Sequence, residues 1–277
     1  MKFGFSTIGC PGWLWKEVIS AAKDMGYDGV ELRGIANKMY LPATRTFSFE
    51  NCLRIKSQLE ELELEIPCIS TSAFIFNDKY KDEARKEVRD YVNLAGLLGV
   101  PYIRVLADKV AAPGNEVDEE MVVANLKELL PFAEEKDVTL LVETNGVYAD
   151  SARLKALMEK FEDDPNLGVL WDIHHPYRFY GEDPELTYAR LSRWIRHIHV
   201  KDSVMENGQV AYKMTGYGDV PIRQALRLLK ENEYPGYVML EWLKRWNADL
   251  EDPGIVFSHF FYAMKRMLKT KSADKAR

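Results

Sequence analysis

The feature that most constrains this chain of 277 residues is a regular alternation between two hydrophobic periodicities. Short apolar runs, typical of buried strands, alternate with longer segments whose apolar residues recur at helical spacing. The repeat is roughly 30 to 35 residues long, which suits a βαβ unit with parallel strands. Eight such units follow one another, and this count predicts an α/β fold of the (β/α)8 TIM-barrel class.

Each predicted unit has definite bounds. Strands are predicted at residues 3–7, 29–32, 66–70, 102–107, 138–143, 167–172, 195–200 and 237–241. Helices are predicted at residues 13–25, 47–63, 79–98, 118–136, 151–161, within 184–194, 222–231 and 255–269. A closed barrel of about 250 residues is an ordinary single domain. Residues 1–268 are therefore predicted to form one TIM-barrel domain, and residues 269–277 a polar C-terminal tail.

The main alternative to the barrel is a doubly wound open sheet. Such sheets often bind nucleotides through glycine-rich loops. No Gly-rich dinucleotide motif follows the first predicted strand, and no GxxxxGK[ST] phosphate loop occurs in the sequence. Both absences favour the closed barrel.

Composition and cysteine usage predict a soluble, cytoplasmic protein. No apolar run approaches the roughly 20 residues that cross a bilayer, which predicts no membrane partner, and the first residues lack the pattern of a secretory signal. Cys10, Cys52 and Cys68 fit neither a disulfide framework nor a Cys/His metal motif, so we expect reduced thiols. The net charge of −6 opposes a nonspecific grip on nucleic acid. The sequence leaves self-association into a homo-oligomer open.

Acidic side chains and one histidine stand at the ends of predicted strands five to eight. In a barrel all these strand ends open on one face, so Glu143, Asp172, His199 and Glu241 are predicted to converge there. A single carboxylate at a strand end is usually a helix cap or an ion-pair partner, but four ligands on successive strands favour a metal site. Three carboxylates and one imidazole suit one divalent ion, with Mn expected first and Mg or Co as alternatives.

The histidines leave two choices open at this point. His197 and His199 lie on the same side of their strand because side chains alternate, so periodicity does not choose between them. The segment 170–176 is predicted as a buried strand that runs into a loop, since Pro176 disfavours helix at the preceding residue. If the strand persists, His174 and His175 point in opposite directions and at most one of them faces the site.

Five short motifs, in this order and spacing, resemble those of a known superfamily. They are VETN at 142–145, WDIHHP at 171–176, HIHVKD at 197–202, GYGD at 216–219 and GYVMLE at 236–241. Over nearly the whole chain the sequence resembles the xylose isomerase-like barrels, a superfamily of sugar isomerases and epimerases. That superfamily also contains inosose dehydratase and apurinic endonuclease branches.

The resemblance implies roles for individual residues. Glu143, Asp172, His199 and Glu241 would be the metal ligands, which selects His199 over His197, and His175 would contact substrate. The implied activity is a divalent-metal-dependent sugar isomerase or epimerase, which transfers a proton next to a carbonyl through an ene-diolate that the metal stabilises. Glu143 and Glu241 are the candidate acid and base. Lys201 would neutralise oxyanion charge, or would form an ion pair with Asp202 or a ligand carboxylate.

Departures from the family pattern keep other functions open. Ketose 3-epimerases carry a second glutamate where this chain has Ala149, and an arginine where it has Met205. The Val200-Lys201-Asp202 run is similar to the dehydratase branch, so a metal-dependent lyase or dehydratase of a keto-sugar or inosose is the alternative. A sugar-binding barrel without activity is a second alternative. The endonuclease branch carries histidines on early strands, whereas no histidine precedes His174 here.

Further residues near strand ends are candidates for contact with a small sugar or keto-sugar. The predicted substrate-binding residues are Glu31, Arg104, Asn145, Trp13 and Trp242, and Arg33 also lies at the end of strand two. Gly216 and Gly218 are consistent with a backbone approach to phosphate or with positive φ angles alone. We favour an unphosphorylated or acid sugar.

Overall fold

The computed structural model describes residues 1–76, 81–114, 116–161 and 164–269. The predicted polar tail lies outside the described residues beyond Lys269, as does the predicted start of the third helix at residues 79–80. Among the described helices, none is both long and apolar enough to span a membrane.

Eight parallel strands form the barrel. They are β1 (Lys2–Ser6), β2 (Gly29–Glu31), β3 (Cys68–Phe74), β4 (Tyr102–Leu106), β5 (Thr139–Glu143), β6 (Leu167–Asp172), β7 (Ile195–Val200) and β10 (Tyr237–Leu240). Their order in the sheet is β2-β1-β10-β7-β6-β5-β4-β3. The two end strands also meet, because the Leu32 amide donates to the Cys68 carbonyl at 3.2 Å and the Ser70 amide to the Leu32 carbonyl at 2.9 Å. The sheet is a nearly closed barrel, so the predicted TIM barrel is confirmed and the open-sheet alternative is wrong.

Helices pack around the barrel with their apolar faces inward. They are α1 (Trp15–Met25), α2 (Phe49–Leu62), α3 (Lys81–Leu98), α4 (Glu119–Glu134), α5 (Ser151–Met158), α6 (His174–Tyr180), α7 (Pro184–Leu191), α8 (Ile222–Glu231) and α9 (Pro253–Lys269). In α8 the buried residues recur at helical spacing, namely Ile222, Ala225, Leu226 and Leu229. Gly26 ends α1 in the left-handed conformation at φ 80°, which glycine adopts without steric cost.

The segment after β6 corrects one prediction. Residues 174–176 are not a strand or a loop, because only Ile173 separates the end of β6 from the start of α6. Pro176 lies in the first turn of this helix, where a missing amide hydrogen costs nothing because that amide has no partner within the helix. His174 and His175 are therefore successive residues of a helix, and the expectation that they point to opposite faces of a strand is wrong.

A hairpin after β7 was not predicted. Strands β8 (Asp202–Glu206) and β9 (Gln209–Lys213) pair antiparallel, outside the barrel sheet. The turn residues Asn207 and Gly208 have φ angles of 51° and 77°. An Asn-Gly pair is the commonest sequence of a two-residue hairpin turn, so this signal was present in the sequence.

Candidate metal centre

The carboxyl ends of four neighbouring strands bring the four predicted metal ligands together. Glu143 and Asp172 are the last residues of β5 and β6. His199 is the penultimate residue of β7, and Glu241 directly follows β10. One ligand atom from each residue lies within 4.8 Å of the other three. All four residues are buried, and Glu241 is the most exposed at 9%.

His199 is oriented toward this centre by Glu31. The Nε2 atom of His199 lies 2.6 Å from Oε2 of Glu31, so with Nε2 protonated the ring donates to that carboxylate. Its Nδ1 atom lies 3.7 Å from Oε1 of Glu143 and 3.6 Å from Oε1 of Glu241. This Nδ1 is buried and has no hydrogen-bond partner. A ring nitrogen held beside carboxylate oxygens, on a histidine that a second carboxylate orients, fits a divalent metal site, where the ion would replace the proton on that nitrogen.

The two histidines of β7 differ in what their second nitrogen faces. His197 shares the same acceptor, since its Nε2 lies 2.9 Å from Oε2 of Glu31. His197 is grouped with Glu31 and Cys68, whereas His199 is grouped with three carboxylate residues. The geometry therefore places His199, rather than His197, at the oxygen-rich cluster.

Opposite charges are closely paired at the centre and set the local electric field. Burial of the His199 ring would lower its pKa, but the charges of Glu31 and Glu241 outweigh this effect and raise the pKa well above its usual value. Burial would raise the pKa of Glu143, but the guanidinium of Arg104, 3.2 Å away, and His199 hold it well below its usual value. Glu143 is therefore ionised at neutral pH.

Lys201 lies at the centre of this field. Its residue is 1% exposed, and Nζ contacts Oδ2 of Asp172 and lies 2.5 Å from Oε2 of Glu241. Burial would lower the pKa of Lys201, but these two carboxylates raise it above its usual value. Lys201 thus pairs with two of the predicted ligands. The other predicted partner, Asp202, instead accepts backbone hydrogen bonds from the 216–220 loop.

The two histidines of α6 have separate environments. Nδ1 of His175 lies 2.8 Å from the Thr144 carbonyl, which fixes the proton on that nitrogen, and Nε2 lies 3.7 Å from Oδ2 of Asp172. Burial lowers the pKa of His175, so the ring is neutral. His174 bonds Ser203 through Nε2 at 2.9 Å and is fully buried. His174 is therefore part of the packing between α6 and the hairpin.

A cavity of about 320 Å³ opens beside the cluster, and two of the four predicted ligands, Glu143 and Glu241, line it. Six of the predicted site residues line it, namely Glu143, Glu241, His175, Lys201, Arg104 and Asn145. Asn145 also holds the loop after β4, because its Nδ2 donates to the carbonyls of Asp108 and Val110 at 3.2 and 3.1 Å. Sequence reasoning missed Trp246, which lines the cavity and is 62% exposed.

Three predicted substrate-binding residues lie away from the cavity lining. Glu31 is fully buried and bonds His197, His199 and Ser70, so it orients the histidine ligand instead. Trp242 is 1% exposed and donates its indole N–H to the Glu251 carbonyl at 3.1 Å. The Trp13 ring packs edge-on against Phe257 at 5.8 Å. Each of the three residues predicted to bind substrate thus has a contact within the protein.

The described residues also form a large depression and a further buried cluster of possible metal ligands, and both lie outside the lining of the 320 Å³ cavity. A depression of about 730 Å³ lies at the opposite end of the barrel, around residues that precede β3, β4 and β10, and none of the predicted site residues lines it. The cluster of Glu31, Cys68 and His197 is fully buried, and none of these residues lines the 320 Å³ cavity. The predicted site residues therefore gather at the carboxyl end of the barrel, which is where the active sites of TIM-barrel enzymes lie.

The parallel eight-stranded barrel defines the chain as a TIM barrel, and the acidic, histidine-containing cluster at its carboxyl end is a candidate metal site. A family model for the xylose isomerase-like TIM barrel matches residues 19–255. The chain belongs to the xylose isomerase-like TIM-barrel family.

Relatives with this fold carry out more than one reaction. An inosose dehydratase of Clostridium perfringens (strain ATCC 13124) is 23% identical over an alignment of 219 positions, and the match covers 68% of this chain and 72% of that protein. A D-psicose 3-epimerase of Clostridium cellulolyticum H10, solved with D-tagatose, has a TM-score of 0.75 at 15% identity and covers 97% of this chain and 98% of that one. An IOLI protein solved with a zinc atom also has a TM-score of 0.75, at 18% identity over 97% of this chain and 96% of that one.

Proposed function

We propose that the protein is a divalent-metal-dependent sugar isomerase or epimerase. The observation that carries this proposal is the cluster of Glu143, Asp172, His199 and Glu241, whose ligand atoms lie within 4.8 Å of one another beside a cavity of about 320 Å³. A small keto-sugar is of a size that such a cavity accommodates.

These four residues would hold one divalent ion, with Mn preferred and Mg or Co as alternatives, because three carboxylates and one imidazole form an oxygen-rich donor set. When bound, the ion supplies Lewis acidity that makes a C–H bond next to a carbonyl more acidic.

Proton transfer falls to the protein's own side chains. Glu143 and Glu241 both line the cavity and are held ionised, Glu143 by Arg104 and Glu241 by Lys201, each against the effect of burial. Either carboxylate is placed to accept a carbon-bound proton from a substrate in the cavity. Epimerisation uses the two on opposite faces of one carbon, whereas isomerisation returns the proton to the adjacent carbon.

Two further side chains support the charge that develops on substrate oxygen. The Lys201 ammonium lies in the cavity wall with its positive charge held by Asp172 and Glu241. The neutral His175 ring also lines the cavity. Preorganised donors of this kind stabilise an oxyanion without rearranging during the reaction.

A lyase that removes water from a keto-sugar or inosose is the second candidate. Two observations favour it: the Lys201 ammonium lies at the cavity as a proton donor to a departing hydroxyl, and the curated relative from C. perfringens is an inosose dehydratase. Both reactions begin with removal of the same type of proton, so they diverge only after the enolate forms.

The test is exchange of carbon-bound protons with deuterated solvent, followed by NMR on a panel of ketoses and inososes with Mn-loaded protein. We expect exchange in at least one substrate and its loss, by at least 100-fold, in Glu143→Gln and Glu241→Gln. Loss of water from the same substrate would select the lyase. Binding of a sugar without exchange or elimination across the panel would overturn both proposals in favour of a sugar-binding barrel.

A further inference from the structure

Two arginines in the cavity wall have buried nitrogen atoms without a partner. Arg33 donates from Nη2 to Oγ of Ser72 at 2.9 Å, but its Nη1 is buried and has no hydrogen-bond partner. Arg104 pairs with Glu143 through Nη1, and its buried Nε likewise has no partner. Arg33 and Arg104 are 9% and 4% exposed. A buried guanidinium nitrogen without an acceptor is costly, so a ligand that supplies an oxygen there is favoured.

The charges of the side chains around the cavity favour a negatively charged ligand. Four cationic side chains but only two carboxylates line the cavity, namely Arg33, Arg104, Lys109 and Lys201 against Glu143 and Glu241. Arg33 and Arg104 repel each other, and burial together with this repulsion lowers the pKa of Arg33 to about 10. An anion in the cavity would offset the repulsion.

The loop that would suit a phosphate is already filled by the protein. TIM barrels often bind phosphate through backbone amides of the loops after strands seven and eight. Here the amides of Gly216 and Gly218 donate to Oδ2 of Asp202 at 2.7 and 3.0 Å. A side chain on Gly218 would collide with the Asp202 carboxylate, so close approach to Asp202 accounts for this glycine. Among the described residues, the unpartnered buried donors in the cavity wall are Nη1 of Arg33 and Nε of Arg104, and N–H groups of a planar guanidinium bind carboxylate oxygens well.

We infer that the substrate is a sugar acid, whose carboxylate is bound by Arg33 with support from Arg104. This inference rests on the proposed function and names its substrate class. The residue that determines specificity is Arg33, since Arg104 is also committed to Glu143.

The experiment is isothermal titration of the Mn-loaded protein with three related probes. D-Gluconate has a carboxylate where D-glucitol has a hydroxymethyl group, and the two are otherwise identical. D-Glucitol 6-phosphate has a phosphate but no carboxylate. We expect gluconate to bind at least tenfold more tightly than either other probe. Arg33→Gln should weaken gluconate at least tenfold and leave glucitol unchanged, because only the carboxylate loses its partner.

Two further variants control for folding and for nearby charge. Arg33→Lys keeps the positive charge but not the planar guanidinium, so it should retain part of the preference for gluconate over glucitol. Its thermal stability should equal that of the wild type. Arg245→Gln removes another arginine, which bonds Asn37 at 3.2 Å and is not part of the cavity lining, so the preference should be unchanged.

Several results would overturn the inference. A carboxylate site is contradicted if gluconate does not bind, if it binds no more tightly than glucitol, or if it binds less tightly than glucitol 6-phosphate. A preference for gluconate over glucitol that persists in Arg33→Gln would also overturn the inference, because it would show that gluconate binds by chelating the metal. Failure of this inference is separable from failure of the proposed function. If neutral ketoses exchange protons but gluconate is not preferred, the proposed function holds and the inference about a sugar acid fails. If gluconate binding depends on Arg33 but no substrate exchanges protons, the carboxylate site holds and the proposed function fails.

Discussion

At the scale of single residues, Glu31 is the side chain on which the orientation of the centre depends. One of its oxygens accepts from both His197 and His199, and the other from Ser70. It lies 168 positions from His199 in the sequence. A sugar contact was predicted for Glu31 because it lies at the end of a strand. No local sequence signal indicates that its partner is His199, which is distant in the chain.

Glu31→Gln should weaken metal binding without unfolding the protein. The amide can still accept one hydrogen bond but no longer supplies a negative charge behind His199, and changes of this kind typically cost about 10- to 100-fold in metal affinity. Calorimetric titration with Mn measures the effect. The matched control is Glu63→Gln, whose carboxylate forms a surface ion pair with Lys23. Equal Mn affinity in wild type and Glu31→Gln would show that Glu31 does not position the ligand.

Lys201→Met should destabilise the metal-free protein by about 3 kcal/mol, because it leaves Asp172 and Glu241 buried without their cation. Added Mn should stabilise the variant more than the wild type, since the ion neutralises the same carboxylates. Urea unfolding with EDTA or with Mn measures both effects. Lys213→Met removes the surface pair with Glu206, with a 2.7 Å separation, and should cost less than about 1 kcal/mol. A similar cost for both variants would contradict this account of Lys201.

At the scale of elements, the barrel strands and most helices were predicted from local pattern, whereas helix α6 and the β8–β9 hairpin were missed. The strand ends that carry the four ligands were predictable because apolar runs and their flanking turns are local signals. Helix α6 was missed because the rule for residues before proline is a bias, which the first turn of a helix can override. The hairpin of β8 and β9 carried its own signal in Asn207-Gly208.

Gly208→Ala should weaken the hairpin by about 1 kcal/mol. The φ angle of Gly208 is 77°, and no other group lies within 4 Å of the position of an added Cβ, so the cost is backbone strain alone. The matched control is Gly114→Ala, which also has open space around the Cβ position but no positive φ. Thermal unfolding and hydrogen exchange of residues 202–213 measure the difference. Equal stability of the two variants would argue against strain at Gly208.

At the scale of the whole molecule, the barrel converts spacing in the sequence into proximity in space. Glu143 and Glu241 are distant in the chain, yet both lie against His199 because their strands end on the same face. The sequence therefore predicted which residues meet. It did not predict which aromatic rings face the cavity, since Trp242 and Trp246 follow the same strand and only tertiary packing buries the first and exposes the second.

The departures from the epimerase pattern also act at this scale. Ala149 is buried, and Met205 is in the exposed half of the hairpin, so neither replaces the missing glutamate and arginine with another charge. Arg33, which follows β2, and Arg104, on β4, carry the unpartnered buried donor nitrogens of the described cavity wall instead. The specificity of this chain is therefore expected to differ from that of the ketose 3-epimerases.

The central claim is that Glu143, Asp172, His199 and Glu241 hold one divalent ion. The most direct measurement is a crystal structure of the Mn-loaded protein with anomalous scattering recorded from the metal. We predict a single strong peak per chain, coordinated by Nδ1 of His199 and by an oxygen of each of the three carboxylates. No peak at these residues, or a peak coordinated elsewhere, would contradict the account.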